Sequence, residues 1–132
     1  MRTALIATLL ALPLFSGCAA VALGAVGGLV ISKEVSDSNV FETRLNIDVS
    51  KVWPMVKKTL SDASLETIEI DEQIRQAKAK IDGSTVTVWV EAYDLDKTVM
   101  RTRATKYAGT INDPGRATAL QERIITRLDA SK

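Results

Sequence analysis

The fold of this chain is decided by residues 76–93, which read QAKAKIDGSTVTVWVEAY. Apolar and polar residues alternate on both sides of Asp82-Gly83, a pair that is typical of a two-residue hairpin turn. The apolar positions of the two arms are Ala77, Ala79, Ile81, Val86, Val88, Val90 and Ala92. The pattern predicts two antiparallel strands, residues 76–82 and 85–93, which bury one face against a core and leave the other face open.

The flanking segments predict further strands and two helices. Residues 39–46, 65–71 and 98–107 have the alternating or β-rich patterns of strands. Asp48 or Ser50 can cap a helix whose apolar stripe consists of Val52, Met55, Val56, Thr59 and Leu60. We interpret Trp53 on this helix as a core residue. Asp113-Pro114 is typical of the start of a second helix. We therefore predict an α+β fold, in which an antiparallel sheet of about four to five strands, in the order β-α-β-β-β-β-α, carries two helices packed on one face.

The beginning of the chain has the three parts of a secretory leader. Arg2 supplies the positive charge, residues 4–15 form the apolar run, and Ser16-Gly17 precede Cys18, the only cysteine. A lone cysteine in an exported protein forms no internal disulfide, which favours attachment of acyl chains such as palmitate to its thiol. We predict a lipoprotein signal peptide at residues 1–17 and lipidation at Cys18. The alternative is an uncleaved membrane helix, because apolar residues continue to Ile31.

Residues 18–38 connect the predicted lipid to the folded part. Ala20, Gly24 and Gly28 recur every four positions, a pattern that lets helices pack closely in lipid. The same Ala/Gly-rich composition is expected of a flexible tether, which is our prediction for this segment. A structural anchor that oligomerises through the segment from Gly24 to Gly28 is the alternative. Residues 39–132 are sufficient for one small domain with a single core.

The chain as a whole resembles a family of small bacterial envelope lipoproteins of unknown function. The likeness is carried by Gly17-Cys18, the segment from Gly24 to Gly28, the helix start at residues 48–53 and the final helix after Pro114. The resemblance implies a lipid-anchored protein of the cell envelope that faces the periplasm, and Ala19 after the cysteine favours the outer membrane. It implies no reaction, cofactor or catalytic residue.

Composition narrows the classes of function. The 17 Lys and Arg residues nearly balance the 16 Asp and Glu residues, so the basic excess of a nucleic-acid-binding protein is missing. Histidine, the commonest general base and transition-metal ligand, does not occur in the sequence. We therefore predict no catalysis, no cofactor, no metal site and no nucleic-acid partner. A glycan hydrolase that uses Glu69 and Asp71 is the weaker, enzymatic alternative, because alternation places both carboxylates on one side of a strand.

The polar side of the predicted hairpin defines a candidate binding face. If Met100, Thr102 and Ala104 point inward, the arginines between them join this side. The predicted face consists of Lys78, Lys80, Trp89, Tyr93, Arg101, Arg103 and Tyr107. Aromatic and arginine side chains suit contact with an envelope protein or a glycan, which makes a non-catalytic binding or assembly module our prediction. The alternative is a solvated sheet surface, where these side chains only stabilise cross-strand pairs.

Overall fold

The computed structural model of the protein describes residues 28–36 and 39–131. Its elements follow in the order β1 (Val30–Val35), β2 (Phe41–Leu45), α1 (Val49–Ala63), β3 (Glu69–Asp71), β4 (Gln76–Ile81), β5 (Ser84–Asp94), β6 (Lys97–Lys106), β7 (Ile111–Asn112) and α2 (Pro114–Ala130). The predicted signal peptide, Cys18 and Gly24 lie outside the described residues. In the described part of the chain, neither helix combines the length and the hydropathy needed to cross a membrane.

The strands form one antiparallel sheet in the order β1-β2-β6-β5-β4-β3, and β7 pairs with the last residues of β6. The hairpin of β4 and β5 confirms the prediction from residues 76–93. Asp82 and Gly83 have φ angles of 49° and 80°. Positive φ at both central residues is what a type I′ turn requires, and this turn matches the twist of the two strands.

Both helices cover the same face of the sheet, and one core lies between the layers. Val86, Val88 and Val90 of β5 are buried there, as predicted. The inward assignment of Met100, Thr102 and Ala104 on β6 is also confirmed, because all three are buried. The core residues from the helices are Val52, Trp53, Val56, Leu60, Ala117, Leu120, Ile124, Ile125 and Leu128. Trp53 is 7% exposed, which confirms its prediction as a core residue.

The predicted caps form at both helices. Asp48 caps α1, because its Oδ1 accepts the backbone N–H of Ser50 at 2.7 Å. The pKa of Asp48 is lowered mainly by its hydrogen bonds with Ser50. Asp113 caps α2 by accepting the backbone N–H of Arg116 at 3.3 Å. Its position between β7 and α2 also ties these elements to the β4–β5 hairpin through Ser84.

The α+β class, the antiparallel sheet and the two helices are confirmed, whereas the predicted strand number and order need correction. Within the described residues the sheet has seven strands in place of four to five, and two strands precede α1. The additional first strand, β1, lies within the residues predicted as a tether and pairs with β2, and Leu29 before it is buried. The strand was missed because its sequence, VISKEV, has no apolar–polar alternation and continues directly from an Ala/Gly-rich run. The two residues of β7 are too few for any periodicity to appear.

Candidate binding face

The face of the sheet opposite the helices, called the open face here, presents its side chains in rows across the strands. Rows form because directly paired residues of antiparallel strands point to the same side. Three rows contain the predicted residues: Gln76, Trp89, Arg101 and Glu42; then Lys78, Thr87 and Arg103; then Lys80, Thr85 and Thr105. The structure thus brings Lys78, Lys80, Trp89, Arg101 and Arg103 together on one surface.

The two predicted tyrosines have different positions. Tyr93 lies at the β-bulge between Ala92 and Asp94, and the Arg44 guanidinium stands 5.9 Å from its ring centroid, within the range of a cation–π contact. Tyr107 follows the last residue of β6 and has a φ angle of 51°. This left-handed conformation ends the extended strand, so the alternation that placed Tyr107 on the face stops before it. We correct its position to an exposed turn.

One part of the open face satisfies its own polar groups, and we call it the paired half. Arg101 donates from Nε to Glu42 at 3.0 Å and from Nη1 to Glu91 at 3.1 Å. These hydrogen bonds, first that with Glu91 and then that with Glu42, raise the pKa of Arg101 above its ordinary value. Trp89 donates from Nε1 to the Gln76 side chain at 2.7 Å. Here the side chains stabilise neighbouring strands, as expected for a solvated sheet surface.

The other part of the open face carries cations that are weakly paired or unpaired. We call it the basic half, and its residues are Lys78, Thr87, Arg103, Lys80, Thr85 and Thr105. The Lys78 ammonium lies 4.0 Å from Glu69, and the Lys80 ammonium lies 3.9 Å from Glu66. Both pairs are exposed and at the limit of an ion pair, so solvent screens most of their attraction.

Arg103 differs from Arg101 although both lie on β6 and point to the same face. None of the ion pairs within residues 28–36 and 39–131 includes Arg103. Its Nε is buried and has no hydrogen-bond acceptor among these described residues. A buried donor without an acceptor is unusual in a folded protein, because it has lost its hydration without compensation. The Arg103 side chain as a whole is half-buried, so a ligand oxygen that reaches its accessible part meets a guanidinium without a carboxylate partner among the described residues.

A groove of about 420 Å³ runs along the edge of the basic half. Its lining residues are Lys78, Lys80, Thr85, Thr105, Glu66, Thr67, Glu69, Ala79, Ala108 and Gly109. Ala108 and Gly109 have φ angles of 57° and 91°. Left-handed backbone at a residue such as Ala108 costs of order 1–3 kcal/mol and is maintained only by the surrounding structure. Sequence reasoning missed Thr85 and Thr105, although the alternation that selected Lys78 and Lys80 also places these threonines on the open face.

The carboxylates of the enzymatic alternative lie at the rim of this surface. Glu69 pairs across the strands with Lys78, and Asp71 pairs with Gln76. Asp71 accepts the backbone N–H groups of Gln73 and Ile74 and so holds the β3–β4 turn. Among the residues that the structure describes, no cluster of three or more His, Cys, Asp or Glu side chains is arranged to hold a metal ion.

No protein-family model and no curated protein matches this chain.

Proposed function

We propose that this chain is a lipid-anchored, non-catalytic binding module of the bacterial cell envelope that captures a partner on the basic half of its open face. The observation that carries the proposal is the contrast between Arg101 and Arg103. Arg101 is held by two carboxylates, whereas Arg103 lies in the same strand without an ion pair in the part of the chain that the structure describes.

Energetics favours the basic half as the contact site. A partner that binds Arg101 must first break the bonds of Arg101 to Glu42 and Glu91. The free energy lost with these bonds offsets the favourable free energy of the new contact. A partner that binds the accessible part of the Arg103 guanidinium breaks no ion pair within the described residues. Arginine is also enriched among the residues that dominate binding energy at protein interfaces. The partner of this module is an envelope protein or a glycan that carries negative charge.

Lipid on Cys18 complements this surface. A single myristoyl-sized chain binds membranes with an association constant of only about 10⁴ M⁻¹, so the two or three chains of a bacterial lipoprotein give firmer anchoring. Anchoring keeps the basic half close to envelope partners and raises their effective concentration. The proposed location is the periplasm-facing surface, most simply of the outer membrane.

The test uses the full-length protein in cells, with a photo-crosslinking amino acid in place of Thr87 at the centre of the basic half. Arg103→Met should reduce the yield of the crosslinked partner about tenfold, the range of an interface hot spot. Arg123→Met is the matched control, because Arg123 is an exposed arginine on α2, in the helical layer on the other face of the sheet. Equal crosslinking by wild type and Arg103→Met would refute the proposed surface.

The anchor is tested in the same cells. Labelled palmitate should be incorporated into the wild type and lost in Cys18→Ala, and the mature chain should begin at Cys18 by mass spectrometry. Label that persists in Cys18→Ala, or an intact Met1, would contradict the lipid anchor. Gly24→Leu tests the alternative of an oligomeric anchor. Under that alternative, Gly24→Leu should abolish the crosslinks and Arg103→Met should leave them unchanged.

A further inference from the structure

The groove at the edge of the basic half is lined by ammonium and hydroxyl groups of that half and by two carboxylates, those of Glu66 and Glu69. Lys80, Thr85 and Thr105 form one row across β4, β5 and β6, and all three line the groove. Adjacent strands lie about 4.8 Å apart. A small group placed above Thr85 is therefore within reach of the side chains of Lys80 on one side and Thr105 on the other.

The number and kind of donors point to one class of acceptor. Lys78 and Lys80 each offer three N–H donors, and each threonine offers one O–H donor. A carboxylate presents two oxygens in one plane, whereas a phosphate monoester presents three terminal oxygens in a tetrahedral arrangement and carries a charge of about −1.5 to −2. Donors from three strands surround a tetrahedral group better than a planar one.

We infer that the groove binds the phosphate group of a phosphorylated ligand, with Lys78, Lys80, Thr85 and Thr105 as its donors. The inference rests on the proposed function, because it names the ligand class of the same surface. Arg103, one row away, supplies a further positive charge at the side of the groove. Free phosphate and a phosphate ester share this chemistry, and the experiment separates the two sources.

Glu66 and Glu69 give the inference a second, independent consequence. In the structure these carboxylates lie 3.9 Å from Lys80 and 4.0 Å from Lys78, where a bound phosphate would replace them as the counter-charge. The carboxylates therefore compete with the ligand and repel it. Neutralising one of them should tighten phosphate binding, an effect opposite to that of neutralising a lysine.

The experiment titrates the full-length, lipidated protein in neutral detergent micelles and follows the backbone amide NMR signals of Thr85, Thr87 and Thr105. Inorganic phosphate and glycerol phosphate are the probes, and acetate at matched ionic strength is the control. Saturable shifts at these threonines are expected with the phosphates and not with acetate. A preference for glycerol phosphate identifies a phosphorylated molecule as the ligand, and tighter binding of inorganic phosphate identifies free phosphate; either result supports the phosphate site.

Charge variants complete the test. Lys78→Gln with Lys80→Gln should weaken binding about three- to tenfold, the effect of removing two exposed charge pairs, and Glu69→Gln should tighten it about twofold. Lys58→Gln, on the exposed side of α1, is the matched control and should leave binding unchanged. Unchanged thermal melting shows that each variant folds.

Three results would overturn the phosphate site: no shifts with either phosphate, equal shifts with acetate, or unchanged binding in the double lysine variant. If any of them is found while crosslinking still depends on Arg103, the ligand class is wrong and the binding module stands. If the Arg103-dependent crosslink is also missing, the proposed function fails together with the ligand class.

Discussion

Replacement of Asp113 by alanine should destabilise the domain, because this side chain joins three elements of the fold. Asp113 Oδ2 accepts the hydroxyl of Ser84 at 2.5 Å, and Oδ1 accepts the backbone N–H of Arg116 at 3.3 Å. The Lys106 ammonium lies 3.8 Å from the same carboxylate. One side chain therefore connects the β4–β5 hairpin, the end of β6 and the start of α2.

The magnitude follows from two losses. Removing an N-cap costs about 0.5–2 kcal/mol of folding free energy. Ser84 is 1% exposed, so its hydroxyl would be left buried without this acceptor, at a further cost of about 1–3 kcal/mol. Together, Asp113→Ala should lower the free energy of unfolding by about 2–4 kcal/mol, which for a domain of this size lowers the melting temperature by roughly 10–25 °C. Asp113→Asn keeps one acceptor oxygen and should lose about half as much.

Urea unfolding of the full chain, monitored by circular dichroism, measures the loss of stability. Asp96→Ala in the exposed β5–β6 turn is the control and should stay within about 0.5 kcal/mol of the wild type.

The pKa of Asp113 lies below its ordinary value of 3.8, first because of the hydrogen bond from Ser84, then because of the backbone N–H of Arg116 and the charge of Lys106. A lowered folded-state pKa stabilises the fold above about pH 4, and this contribution is lost as the pH falls through the folded-state pKa. The difference between wild type and Asp113→Ala should therefore shrink below about pH 4. A loss under about 1 kcal/mol at pH 7, or a difference that stays constant down to pH 3, would refute this account.

Two further predictions concern the sheet itself. Arg101→Met should lower the free energy of unfolding by about 1 kcal/mol, because Glu42 and Glu91 lose their shared partner. Arg103→Met should change the free energy of unfolding by less than about 0.5 kcal/mol. Equal effects of the two substitutions in urea unfolding would contradict the division of the open face. Gly83→Ala should cost about 1–2 kcal/mol, because Gly83 has a φ angle of 80° and nothing lies within 4 Å of the added Cβ, so the penalty is conformational only. A melting temperature for Gly83→Ala equal to that of the wild type would show that the turn relaxes.

The sequence predicts the centre of this fold because short-range patterns determine it. Alternation with a period of two assigns each residue of β4, β5 and β6 to a face, and Asp82-Gly83 fixes the hairpin between the first two. The caps at Asp48 and Asp113 depend on bonds to residues two or three positions away. These features are readable without knowledge of the tertiary structure.

The division of the open face is not readable in the same way, because it depends on which strands are neighbours. Arg101 is neutralised by Glu42, which comes from β2, 59 positions earlier in the chain. Only the placement of β6 between β2 and β5 brings the two together. Arg103 lies two residues farther along β6, past the last paired residue of β2, and no carboxylate of the described residues pairs with it. Alternation treats both arginines alike, and the sheet order makes them different.

Among the described residues, β1 lies at the edge of the sheet, and this position bears on how copies of this protein behave when they are crowded. An edge strand exposes backbone groups that can pair with the same edge of a second molecule. When two copies of a strand pair antiparallel, directly opposed residues point to the same face of the sheet. The symmetric arrangement therefore places one residue of β1 directly opposite the same residue of the second copy. Along the regular part of β1, from Ser32 to Val35, the registers with the greatest overlap place Lys33 opposite Lys33 or Glu34 opposite Glu34. Like charges directly opposed destabilise a strand pair. The edge thus resists the growth of an intermolecular sheet even where the protein is concentrated.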